Sequence, residues 1–367
     1  LIILPWNKEV GWLASDLLMG GKPVKASPRV MLKDQIKQLG KKNLKMKSGV
    51  ECEYFLISQD GSSIADTKDI QSKPCYDQSA LMRRYDLIKE ICDCMIEMGW
   101  GPYQNDHEDA NGQFEINYTY SDALSAADKY VFFRMAAGEI AREFDLIATF
   151  MPKPFRNRTG NGMHMHVSAK KGSKKNVFED KSDKQGLGLS KLGYHFLGGI
   201  LKHAQALTVL SAPSVNSYKR LVVGESLSGA TWAPAYVTYG DNNRSAMVRV
   251  PFGRLEYRLA DASCNPYLAM AAMLAAGLDG IKNKVTVGPA MNVNLYNITE
   301  AQLKEHKISV LPQNLGLALQ ELSDDQFFRR ELGDAIVDEF LKVKRMEWVE
   351  YCRHVSDWEK DRYVEFY

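Results

Sequence analysis

An α+β fold is predicted by three observations. Apolar residues recur at helical spacing in long, separated segments. Short strand-like runs stand between them without the regular alternation of a βαβ sheet. Several of those runs place ionisable side chains at i and i+2, on one face of a strand.

Taken in order, Val10 to Met19 reads as a strand-rich run closed by a Gly20-Gly21 turn, so residues 1–28 are expected to be the end of a domain that begins earlier. Helical spacing follows over 30–39, 81–98 (Leu81, Tyr85, Ile88, Ile91, Cys92, Met95) and 123–144. Strands are expected at 50–57, 163–167, 247–250 and 255–259. Helices return over 192–210, 266–281 and the charged segment after about Gln313. Lys170-Lys171-Gly172-Ser173-Lys174-Lys175 is the only basic cluster and reads as a solvated hairpin turn.

Composition excludes several classes. The chain has 367 residues, 45% hydrophobic and 25% charged, which is ordinary for a globular protein of two or three domains. Lys and Arg number 47 against 45 Asp and Glu, too even a balance for a general nucleic-acid binder. No apolar run approaches the ~18 residues of a membrane span. Leu1-Ile2-Ile3-Leu4 is stopped by Pro5-Trp6 and lacks a basic flank, unlike a signal peptide. Six cysteines at irregular spacing, with no CxxC, read as thiols in a reducing cytoplasm. Gly186-Leu187-Gly188 lacks the strand and third glycine of a dinucleotide loop, and no GxxxxGK[ST] loop exists.

The chemistry lies in charge placed inside strands. Glu51 and Glu53 share one face, His164 and His166 another, and Arg254, Glu256 and Arg258 a third. His107-Glu108-Asp109-Ala110-Asn111-Gly112-Gln113-Phe114-Glu115 adds carboxylates around a glycine turn. Like charges side by side repel unless neutralised, and carboxylates with one imidazole suit Mg²⁺ or Mn²⁺. Arg220, Arg244, Arg249, Arg254 and Arg258 place five guanidinium groups within 39 residues, a set suited to carboxylate and phosphate. Metal-holding carboxylates beside arginines are what phosphoryl transfer from a nucleotide to an acid requires. A hydrolase using the same carboxylates on water leaves the arginines unexplained. His195, His203, His306 and His354 stand in helical or loop contexts and read as structural or surface residues.

These residues resemble the glutamine synthetase family over nearly the whole chain. Phe150-Met151-Pro152-Lys153-Pro154, Gly160-Asn161-Gly162-Met163-His164, Asn216-Ser217-Tyr218-Lys219-Arg220 and Asn242-Asn243-Arg244 appear in family order. The stretches Asp106 to Glu115, Ser228 to Pro234 and Lys344-Arg345-Met346-Glu347-Trp348 to Tyr367 resemble the type III-like and γ-glutamylmethylamide synthetase branch. The resemblance implies a catalytic domain over 29–367, built as a curved antiparallel sheet backed by helices, with 1–28 as the end of a β-grasp domain. It implies that Glu53, Glu108 and Glu115 hold one metal, and Glu51, His164 and Glu256 a second that bridges the nucleotide phosphates. Gly160 and Arg220 would position glutamate, with Arg258 near its carboxylate, while Arg244, Arg249 and Arg254 neutralise phosphates. The implied catalytic arginines are Arg220, Arg244 and Arg258, the cofactors ATP and Mg²⁺ or Mn²⁺, and the assembly a double-ring homo-oligomer with sites between subunits. A non-catalytic relative would be expected to lose metal ligands, and all six are present.

The amine partner follows from a departure. Where typical members carry a flap glutamate over the ammonium site, this chain has Ser226, with Glu225 one residue early. A site without that anion tolerates a methyl, whose burial contributes about 0.8 kcal/mol and supports a selectivity of roughly 10- to 200-fold. Methylamine is the expected amine and ammonia the alternative.

Overall fold

The computed structural model describes residues 1–172, 175–224 and 231–367. Among them, two antiparallel-rich sheets meet at the centre. One has seven strands, ordered Tyr239–Asp241, Val248–Val250, Leu255–Tyr257, Met165–Lys171, Leu44–Val50 and Ser121–Asp122, with Lys175–Asn176 beside Met165–Lys171. The other orders Leu146–Thr149, Cys52–Ser58, Gln113–Tyr118 and Pro102–His107. Every neighbouring pair in them is antiparallel except Tyr239–Asp241 with Val248–Val250, which run parallel.

Helices back this surface because their apolar faces are wide. Ala123–Glu143 buries Tyr130, Phe132, Phe133 and a series of alanines, and packs on the strands Leu44–Val50 and Leu146–Thr149. Pro266–Asn283 is enclosed by other helices along most of its length. It starts where Asn265 accepts hydrogen bonds from the N–H groups of Tyr267 and Leu268, with Pro266 at the first turn. Lys191–Lys202 crosses it at a glycine contact. A Cβ on Gly199 would sit inside the envelope of the Ala276 carbonyl oxygen, and one on Gly280 would strike the carbonyl of His195. Gly199→Ala is therefore expected to destabilise the protein by about 3 kcal/mol, the upper end for overpacking. Chemical denaturation measures it, and an unchanged midpoint would refute the tight crossing.

Several expected elements are corrected. The run expected as one strand at 50–57 is two strands in different sheets, Leu44–Val50 and Cys52–Ser58, with Glu51 at the crossing. The helix expected at 81–98 breaks at Arg84 into Gln78–Arg83 and Tyr85–Glu97, and that at 192–210 breaks at His203 into Lys191–Lys202 and Ala204–Ser211. Both residues leave helical geometry, with φ −115° and −100° and ψ near zero, which apolar spacing does not register. The strand-rich run expected at 10–19 is made of short hairpins: Asn7–Trp12 pairs with Ile2–Leu4, and Leu18–Met19 with Lys22–Pro23 across Gly20-Gly21. Pro102–His107 and Gln113–Tyr118 were not anticipated: the first is mostly polar and carries no apolar alternation, whereas the second does alternate through Phe114, Ile116 and Tyr118 and was readable. Around the expected Lys170–Lys175 turn, Lys170 pairs with Asn176 and Lys171 with Lys175, and Gly172 takes φ 66°; Ser173 and Lys174 lie outside the described residues.

Residues 1–28 pack against the rest of the chain. Trp6 and Trp12 pack their rings against Phe132 at 5.6 and 5.2 Å, and Asp16 pairs with Arg29 and Lys33. The six cysteines are free. Among the described residues, no helix is long and apolar enough to cross a membrane.

Candidate active site

The two sheets open onto a cavity of about 1000 Å³. Glu51, Glu53, Glu108, Glu115, His164, Gly160, Arg220, Arg244, Arg249, Arg254 and Arg258 all line it. Glu256 lies directly beneath, fully buried. Residues spread over 208 positions thus converge because strand ends converge: the Glu51 N–H donates to the His164 carbonyl at 3.1 Å, and the Met163 N–H to that of Ala260 at 2.9 Å.

Glu51 is the hub. Its two oxygens meet His164 Nδ1 and His166 Nε2, each at 2.7 Å. Arg254 Nε donates to His166 Nδ1 at 3.1 Å, so the His166 proton sits on Nε2 and points at Glu51. Burial alone would raise the Glu51 carboxyl, but the two imidazoles outweigh it and hold the group well below the usual range. Glu53 accepts from the Gly162 N–H at 2.6 Å and from Gln113 Nε2 at 3.3 Å, and lies 3.4 Å from His164. Gln113 also donates to the Gly160 carbonyl at 3.1 Å, tying the glycine loop to the carboxylate wall.

Beneath, Glu256 pairs with Arg258 through one oxygen and with Arg249 Nη1 at 2.7 Å through the other. Burial opposes its charge, and the Arg258 guanidinium still holds its carboxyl below the ordinary value. Arg258 spends its remaining donors on the carbonyls of Arg244, at 3.1 Å, and Trp232, at 2.8 Å. Arg220 is buried and, among the described residues, has no carboxylate partner in hydrogen-bond reach; it donates to the carbonyls of Arg258 and Leu259. Arg244 and Arg254 are exposed to the cavity.

The opposite wall is acidic. Burial first, then the charges of Glu53, Glu51 and Asp106, push the Glu108 carboxyl up to about 8. Burial and the charges of Glu51, Glu108 and Glu53 hold Glu115 well above the usual carboxylate range, although Asn117 donates to it at 2.6 Å. Among the described residues no ion pair reaches either group. Uncompensated carboxylates of this kind are a hard-oxygen donor set that fits a divalent cation.

The donors group differently from the expected division. Ligand atoms fall within 4.8 Å of one another in three sets: Glu51, Glu53 and His164; Glu51, His166 and Glu256; and Asp106, Glu108 and Glu115. All six expected ligands are in them, and His166 and Asp106 join. The i, i+2 spacing had already put His166 beside His164; nothing in sequence singled out Asp106. Trp232 was also missed as a site residue. It takes φ 49°, donates from its indole to Asp109 at 2.7 Å, and is anchored by Arg258. Glu225 and Ser226 of the expected flap lie outside the described residues.

The raised carboxyls imply a pH dependence. Below the usual carboxylate range, near 4.5, Glu108 is protonated folded or unfolded. As pH rises towards about 8 the unfolded chain releases protons that the folded cavity retains, so stability is lost across that window. A divalent cation takes these groups ionised, so the rise in Tm on adding Mg²⁺ is expected to be larger at about pH 8.5 than at about pH 6. Scanning calorimetry checks this, and equal shifts at both pH values would contradict it.

The family model "Glutamine synthetase, catalytic domain" matches residues 25–363. A glutamate–methylamine ligase of Methyloversatilis universalis is 54% identical over 369 residues, covering 100% of this chain and 83% of that protein. A glutamine synthetase of Rhizobium meliloti is 50% identical, covering 98% of this chain and 82% of that protein. A solved structure described as a GmaS/ADP complex superposes with a TM-score of 0.93 at 48% identity, covering 99% of this chain and 83% of that one.

Proposed function

The chain belongs to the glutamine synthetase family, and from that premise we propose that it is an ATP-dependent γ-glutamylmethylamide synthetase, joining the γ-carboxylate of L-glutamate to methylamine. The observation that carries the ligase reading is that carboxylates and arginines line one and the same cavity. The 54% identity along the whole chain to a methylamine ligase supports the choice of amine.

A carboxylate is a poor electrophile, so the reaction needs two steps. An oxygen of the glutamate γ-carboxylate would attack the γ-phosphorus of ATP, releasing ADP and leaving γ-glutamyl phosphate. The neutral amine would then attack the carbonyl carbon and expel phosphate. Arg220 and Gly160 would hold glutamate, with Arg258 fixing the ground beneath through Glu256. Arg244, Arg249 and Arg254 would balance the charge of the phosphates. Glu53, Glu108 and Glu115 would hold one Mg²⁺ or Mn²⁺, and Glu51, His164 and Glu256 another, with His166 and Asp106 alongside. Such ions, when bound, neutralise phosphate oxygens and orient them. Asp109, steadied by the Trp232 indole, offers methylammonium a carboxylate next to an apolar ring. Residues 1–28 are read as the end of a β-grasp unit, and the protein as a large double-ring homo-oligomer with sites between subunits.

The test is ADP release with glutamate and Mg²⁺, titrating methylammonium and ammonium separately. A higher specificity constant for methylammonium supports the reading. A preference for ammonium would make the protein a glutamine synthetase, the function of its relative at 50% identity. No response to either amine would sink both.

A further inference from the structure

The branch-like motif Lys344-Arg345-Met346-Glu347-Trp348 has no part in the reaction above, yet it touches the segment that ends in Arg220. Residues 212–220 leave the helix Ala204–Ser211 as irregular chain, reach a single turn at Ser217–Lys219, and deliver Arg220. The adjacent residues Val215 and Asn216 are anchored on opposite sides. On one side Asn216 grips Lys153, accepting from its N–H at 2.7 Å and donating to its carbonyl at 3.0 Å. The neighbouring Pro152 carbonyl accepts from the Asn161 N–H at 2.9 Å, beside Gly160. On the other side Glu347, on the helix Asp334–Arg353, accepts from the Val215 N–H at 3.0 Å.

Glu347 is itself held in place. Lys344 donates to its second oxygen at 2.8 Å. Trp348 lies flush on Gly316, where an added Cβ would come within 2.7 Å of the indole. Arg345 donates to Ser323 at 2.9 Å, and the Lys219 ammonium stands over the Tyr351 ring. The helix is therefore a rigid post, and its charge-assisted hydrogen bond to the segment falls five residues before Arg220.

We propose that Glu347 is a positioning residue for glutamate: by fixing Val215 it sets where the buried Arg220 presents its guanidinium. The inference rests on the reading that Arg220 binds glutamate. It separates Glu347 from the nucleotide, whose arginines, Arg244, Arg249 and Arg254, are carried on other segments.

The experiment measures ADP release by the full chain for wild type, E347A, E347Q and E347D, varying glutamate and ATP in turn. E347A is expected to raise KM for glutamate about tenfold, with kcat and KM for ATP within about twofold. E347Q keeps an acceptor oxygen and is expected to restore the wild-type KM. E347D, shorter by one methylene, is expected to fall between and serves if E347A does not fold. An unchanged KM for glutamate in E347A and E347D overturns the proposal, as do parallel changes in KM for ATP and kcat, or E347Q behaving like E347A. Wild type that releases ADP without dependence on glutamate would instead overturn the functional reading, and this inference with it.

Discussion

Glu256→Ala is expected to abolish ligase activity and to destabilise the fold by about 3–5 kcal/mol. Glu256 is fully buried, and its two oxygens neutralise Arg258 and Arg249. Arg258 is itself buried and cannot turn to water, so removing the carboxylate strands a guanidinium in a low-dielectric site. The damage would spread, because Arg258 also holds the carbonyls of Arg244 and Trp232, and Trp232 holds Asp109. Denaturant midpoints and ADP release read the two effects separately. The double variant Glu256→Ala with Arg258→Met is expected to recover much of the stability and none of the activity, since the buried charge at position 258 is gone and Arg249, the other partner, lines the open cavity. If Glu256→Ala alone unfolds at the wild-type denaturant concentration, the pair does not carry the stability assigned to it.

Gly162→Ala is expected to lower kcat/KM by about 100-fold or more while costing little stability. The added Cβ would lie 2.6 Å from His164 Nε2, 2.8 Å from Arg220 Nη2 and 3.0 Å from Glu53 Oε1. Three functional side chains would have to retreat to admit one methyl group. The Gly162 N–H that Glu53 accepts would remain, so the substitution tests geometry rather than hydrogen bonding. Isothermal titration of Mg²⁺ should show weakened binding alongside the lost rate, because Glu53 and His164 move together. Wild-type kinetics in a folded Gly162→Ala protein would show that these side chains have slack.

Much of the site was legible because catalysis breaks ordinary patterning. Glu51 with Glu53, His164 with His166, and Glu256 with Arg258 stand in runs whose other residues are apolar, and charge in such runs has a cost that demands a partner. The motifs around Gly160, Arg220 and Arg244 were equally readable, because each is a short local unit. Asp106 was not, since the part of its strand around it, Gln104 to His107, is polar and offers no contrast. Trp232 was hidden for another reason. A tryptophan near a proline and a glycine is unremarkable until its left-handed backbone aims the indole at Asp109.

The sequence by itself singled out six candidate metal ligands, five arginines, and the α+β alternation that carries them. Local spacing suffices for this, because which side chains share a face is decided within two to four residues. Only the tertiary structure decided which donors meet. Glu51 joins His166 and Glu256 through strand pairing across more than 100 positions, and Glu108 groups with Asp106 and Glu115 through a hairpin. It also decided that Glu256 is ion-paired beneath the cavity while Glu108 faces the acids unpaired. Those outcomes depend on chain crossings, such as the change of sheet at Glu51, that no local periodicity encodes.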